Sequence, residues 1–181
     1  MPETAAGQAA ARLEQVFRQI AATRMAGVSL LNPALAVEAV GFRPWHGDWV
    51  GVLVTPWFMN LICLPGPDAA WETRASGTRL DRELPSGVYE FLAADEDELG
   101  PYLSSSLFSP MFEFPDMDQA REVARAVLDE LFTPVAEAPA EAQSNPKANT
   151  EAETAGLTAK LAQPVSRRGF FGALLRSEGP T

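Results

Sequence analysis

At 181 residues, 46% of them hydrophobic and 21% charged, the chain has room for one domain with a sizeable core and some unstructured length beside it. A formal charge of −10 and a pI near 4.6 argue against nucleic acid, because a phosphate backbone needs a basic surface; they would instead draw in a basic segment of a partner. One cysteine, Cys63, and one histidine, His46, allow no internal disulfide and are too few for a Cys/His zinc or iron site, so no metal and no cofactor is expected.

The opening "MPETAAGQAAARLEQ" has neither the basic start nor the apolar stretch of a secretory signal. No run approaches the roughly 20 apolar residues that span a bilayer. A cytoplasmic protein with no transmembrane segment is expected. In "TAAGQAAARLEQVFRQIAATRM" the residues Leu13, Val16, Phe17 and Ile20 recur at helical spacing between Arg12, Glu14, Gln15, Arg18 and Gln19, which predicts an amphipathic helix. It should stop near Gly27, ahead of Asn32-Pro33.

From about Val37 come short runs rich in β-branched and aromatic residues: "VEAVGF", "DWVGVLVT", "FMNLICL", "TRLDREL", "GVYEFLA" and "YLSSSLFS". They predict an antiparallel sheet. The second and third do not alternate: Trp49, Gly51 and Leu53 point one way and Val50, Val52 and Val54 the other, and the next run is apolar on both faces apart from Asn60. Either these strands are central and covered on both sides, or one face is left for a partner. A second helix follows in "DMDQAREVARAVLDELF", with Asp116 as N-cap and Gln119 three residues on. Its stripe is Ala120, Val123, Ala124, Val127, Leu128 and Leu131, and Pro134 ends it.

Beyond Thr133 the composition falls to Ala, Glu, Pro, Thr, Asn and Gln, which cannot bury enough surface to offset ordering. The expected organisation is an α+β domain over 1–133, an antiparallel sheet flanked by an N-terminal and a C-terminal helix. A disordered linker over 134–164 and a short basic and apolar tail over 165–181 complete it.

No catalytic set stands out. Cys63 lies in an apolar run, where burial raises a thiol pKa and makes it inert, and His46 in "PWHGDW" reads as an exposed turn residue rather than a base. The acidic run Asp95 to Glu98 lacks the ligand spacing of a calcium loop and reads as a solvated loop. The unusual stretch is Trp49 to Trp71, which holds three of the four tryptophans and three prolines within two strands and a turn. Trp and Pro offer rigid contact area at little entropic cost on binding, although strands also need apolar faces for their own core.

This stretch carries a resemblance. "W-x-G-x-x-x-T-P-W" (Trp49, Gly51, Thr55, Pro56, Trp57), then "P-G-P-D-x-x-W" (Pro65, Gly66, Pro67, Asp68, Trp71), "LPSG" at Leu84 to Gly87 and "YLSSSLFSPM" at Tyr102 to Met111 resemble the HybE/HupJ family of nickel-iron hydrogenase assembly chaperones. The resemblance implies an accessory protein, not an enzyme, that binds the small subunit of an uptake hydrogenase and its twin-arginine signal peptide before cofactor insertion and export. It also implies the large subunit and a separate rubredoxin as further partners, any iron centre lying on another polypeptide. The alternative within it is a scaffold that shields the iron-sulfur small subunit without reading the signal peptide. The ten motif residues from Trp49 to Trp71 are the expected partner-binding set.

The tail adds "VSRRGFFGALL", in which Arg167, Arg168, Phe170 and Phe171 have the order of a twin-arginine signal but supply neither a full apolar region nor a cleavage site. Three readings stand: a mimic of the ligand, an amphipathic docking segment, or a chance match.

Overall fold

The computed structural model describes residues 2–72 and 74–135. The linker predicted over 134–164 lies outside the described residues from 136 onward, and the tail over 165–181 lies outside them entirely. Helix α1 (Pro2–Ala22) leads into β1 (Glu38–Trp45), β2 (Asp48–Val54), β3 (Met59–Leu64), β4 (Arg79–Leu84), β5 (Gly87–Glu96) and β6 (Gly100–Phe108), and helix α2 (Met117–Leu131) follows. No helix among the described residues is long and apolar enough to cross a membrane.

All strands pair antiparallel in the order β1-β2-β3-β6-β5-β4. Two three-stranded meanders are thus joined through β3 and β6, which places the doubly apolar β2 and β3 inside the sheet. Of the two readings open from the sequence, central strands covered on both sides is the one found. On one face Trp49 and Leu53 of β2 and Ile62 and Leu64 of β3 pack with Leu13, Val16 and Phe17 of α1. Leu13, Leu53 and Ile62 are fully buried, each contributing roughly 1.5–3 kcal/mol of transfer free energy. On the other face Val50, Val52, Val54, Leu61 and Cys63 are buried, and α2 covers β1 and β2 there with all six residues of its predicted stripe. Its N-cap is Asp116, whose carboxylate accepts from the Gln119 N–H at 2.8 Å.

A bulge explains the glycine of the first tryptophan motif. Val40 pairs with Val52 and Arg43 with Val50, so Gly41 and Phe42 together oppose Gly51. Gly41 takes φ +64°, and the Phe42 ring lies over Gly51 so closely that a Cβ there would fall 2.3 to 2.7 Å from three ring atoms. The sheet twist brings its two edge strands together at one corner, where Trp45 Nε1–H of β1 donates to the Glu83 carbonyl of β4 at 2.9 Å.

Candidate functional site

The expected partner-binding set divides into a buried frame and two separate surfaces. Trp49, Gly51, Thr55 and Gly66 are buried. Thr55 closes the turn between β2 and β3: its N–H and Oγ1 donate to the Phe58 carbonyl at 2.8 and 2.9 Å. Its Oγ1 accepts from the N–H groups of Phe58 and Trp57 at 2.9 and 3.2 Å. This turn presents Pro56 and Trp57, both half-buried. The Pro56 carbonyl accepts from Asn32 N–H at 2.8 Å. The buried Asn32 also donates through Nδ2 to the carbonyls of Met111 and Phe114 at 2.9 and 2.7 Å, stapling three loops together. Leu30 and Phe112, each close in sequence to this staple, are more than half exposed.

At the other end of β3 the second motif is built on Asp48, the first residue of β2. Its Oδ1 accepts from Trp71 Nε1–H at 3.0 Å and from Gly66 N–H at 3.3 Å. Its Oδ2 lies 3.8 Å from the Arg82 guanidinium. That guanidinium also stands over the Trp71 ring, 5.4 Å from its centroid. Gly66 is required by close approach, since a Cβ would fall 1.7 Å from the Gly47 carbonyl oxygen. Pro65 is half-buried, Pro67 and Asp68 are exposed, and Trp71 is half-buried. The loop walls a cleft of about 460 Å³ lined by His46, Asp48, Trp71, Arg74, Arg82 and Tyr102 among others.

The structure therefore does not bring Trp57 and Trp71 together. The length of β3 separates them, roughly 17 Å for five residue steps. The sequence reading also passed over Asp48, Arg82 and Asn32. Asp48 had a signal: a carboxylate opening the otherwise apolar run "DWVGVLV" must find donors when buried, and a half-buried Trp needs an acceptor. Asn32 had none that separates it from an ordinary Asn-Pro turn.

Cys63 is buried, and burial, with the Asp48 charge second, pushes its thiol up to about 12. It is a protonated core residue at neutral pH. His46 is exposed at φ 49° in the β1–β2 turn. The acidic run closes onto α1 and the turn after it: the Glu98 carbonyl accepts from Arg12 Nε and Nη2 of α1 at 2.9 and 2.6 Å, and Glu96 pairs with Arg24 of the turn at 2.6 Å. Arg167, Arg168, Phe170 and Phe171 lie outside the described residues.

The chain is similar to known proteins. A family model described as "[NiFe]-hydrogenase assembly, chaperone, HybE" matches residues 8–173. The probable rubredoxin HupJ of Rhodobacter capsulatus is 47% identical over 116 residues, 64% of this chain but 42% of that protein, so the match spans less than half of that relative's length. The hydrogenase expression/formation protein HoxT of Azotobacter vinelandii is 46% identical over 121 residues, 66% of this chain and 77% of that protein. The solution structure of HybE from Escherichia coli is similar at a TM-score of 0.59 and 25% identity, covering 82% of this chain and 91% of that one. The sheet flanked by two helices, the motif residues and the extent of the family match place the chain by one conclusion: it belongs to the HybE family of [NiFe]-hydrogenase assembly chaperones.

Proposed function

We propose that this chain acts in the cytoplasm as an assembly chaperone for an uptake nickel-iron hydrogenase. It holds the small subunit, through its twin-arginine signal peptide among other contacts, before cofactor insertion and export. The large subunit and a rubredoxin on a separate polypeptide are further partners on this reading. The observation that carries it is the fixing of Trp71 by Asp48 at the wall of an open cleft. A tryptophan held by a buried carboxylate is an anchor whose ordering cost is met before the partner arrives. Pro56 and Trp57 at the far end of β3, and Pro67 and Asp68 beside Trp71, complete the contact set; Trp49, Gly51, Thr55, Pro65 and Gly66 hold it in place.

One feature favours the scaffold reading for the cleft itself. Arg74 and Arg82 face Asp48 and Glu72 there, a balance that gives no net attraction to a pair of arginines, so the mature small subunit suits the cleft better than the signal peptide does. Titrating the full chain with the isolated signal peptide, and separately with the folded small subunit lacking it, tests both. Binding of both ligands is expected, with Trp71→Ala weakening only the second. Failure of the peptide to bind leaves the scaffold reading, and failure of both removes the proposal.

A further inference from the structure

On the α1 side of the sheet, the outer strands of the second meander have no cover. Leu92 pairs directly with Ser104, and Ser104 with Ile62, a residue of the cluster beneath α1. Directly paired residues share a face, so Leu92, Glu90 and Val88 of β5 point to the α1 side. Their partners on β4 are Arg79, Asp81 and Glu83. Val88 and Leu92 are 67% and 44% exposed. Arg79 pairs with Glu90 at 3.3 Å, which leaves the carboxylates of Asp81 and Glu83 without an ion pair among the described residues. Deeper in the same face Asn60 donates Nδ2 to Ser104 Oγ at 2.9 Å, while its Oδ1 is buried and accepts nothing.

We propose that this open face seats the arginine-bearing segment of a twin-arginine signal peptide. The arginines meet Asp81 and Glu83, and the large apolar residues behind them lie over Val88 and Leu92. The proposal rests on the reading that the signal peptide is a ligand, and it supplies the arginine seat that the charge-balanced cleft beside Trp71 does not. Charge selects the occupant. Three carboxylates against one arginine repel a second copy of the same face, whereas a basic and apolar segment satisfies both the exposed carboxylates and the exposed leucine and valine. Exposed ion pairs are individually weak, so binding through this face is salt-sensitive and needs both elements at once.

The test is a titration of the isotope-labelled full chain, followed by amide and methyl NMR, with a 12-residue synthetic peptide. It carries two adjacent arginines followed by phenylalanines and leucines; a control peptide has glutamines for the arginines. The expected result is a set of shifts centred on Val88, Leu92, Ser104 and the Asn60 side-chain amide. The glutamine control should bind about tenfold more weakly, as should an Asp81→Asn, Glu83→Gln variant, whose exposed positions leave the core untouched. Binding with shifts centred on Trp71 or Trp57 would overturn the site while leaving the signal-peptide reading standing; no binding would overturn both. Signals of the face that change on Arg167→Gln with Arg168→Gln, and that the peptide does not move further, would assign the face to the chain's own residues 165–175 and overturn the proposal.

Discussion

Replacing Asp48 by alanine should release the loop that carries Trp71 and destabilise the domain with it. The carboxylate is buried and accepts hydrogen bonds from Trp71 Nε1–H at 3.0 Å and Gly66 N–H at 3.3 Å, and a long one from Cys63 Sγ at 3.9 Å, with Arg82 at 3.8 Å beside them. Hydrogen bonds to a charged group contribute about 1.5–3 kcal/mol each. The Gly66 bond at 3.3 Å and the half-exposed indole, which can turn to water, fall at the low end and the thiol adds little, so the expected loss is about 2–4 kcal/mol. Arg82 adds to it, because its Nε is already buried without an acceptor and the variant removes its counter-charge. Urea unfolding followed by far-ultraviolet circular dichroism measures the loss, and a midpoint lower by roughly 1–2 M is expected for a domain of this size. Tryptophan emission should shift to the red before global unfolding as Trp71 gains water. Asp48→Asn, which keeps one acceptor oxygen for Trp71 and Gly66, should lose about half as much. A stability for Asp48→Ala within about 0.5 kcal/mol of the parent, the scatter of ordinary surface substitutions, would refute the role given to this carboxylate.

Three further outcomes are expected. Gly51→Ala should cost about 1–3 kcal/mol through the clash with the Phe42 ring, and pairing it with Phe42→Ala should cost less than the sum of the two single changes; strict additivity would contradict the packing described for the bulge. Because the Cys63 thiol is pushed from its ordinary 9.0 up to about 12, the unfolded chain loses that proton first. Stability should therefore be level below pH 9 and fall toward pH 12 by up to about 1.4 kcal/mol per pH unit, a slope that Cys63→Ala reduces and that urea melts at pH 8, 9.5 and 10.5 will reveal or exclude. Substituting alanine for Arg167, Arg168, Phe170 and Phe171 should tighten signal-peptide binding about twofold, if the tail is a competitor of roughly millimolar affinity tethered at an effective concentration on the order of 1 mM. Unchanged affinity in a competition assay would reject the tail as a mimic.

Both helices and all six strands are legible in the chain because each has a clean period and clear punctuation. The Asp116 cap, the stripe from Ala120 to Leu131 and the doubly apolar β2 and β3 each follow from local pattern. Strand order is not local: nothing in "FMNLICL" or "YLSSSLFS" says that β3 and β6 pair to join the two meanders. That pairing decides what α1 covers, and so Val88 and Leu92, apolar at alternate positions in a run that reads as half-buried, end in solvent. The tryptophan motif is dense in sequence, but a strand of six residues lies between its halves, and an extended strand carries them to opposite ends of the sheet. The residue that organises the second half, Asp48, stands in the sequence as one acid before an apolar run; its partners Cys63, Gly66, Trp71 and Arg82 all lie well beyond the reach of local pattern.

The central claim, capture of a hydrogenase small subunit before export, is tested most directly by calorimetric titration of the full chain with the small-subunit precursor carrying its signal peptide, set against an unrelated twin-arginine precursor. The account predicts binding to the hydrogenase precursor at least tenfold tighter than to the unrelated one, because on the proposed reading Trp57 and Trp71 would contact the subunit in addition to the signal. Equal affinity for the two precursors, or no binding to the hydrogenase precursor, would contradict it.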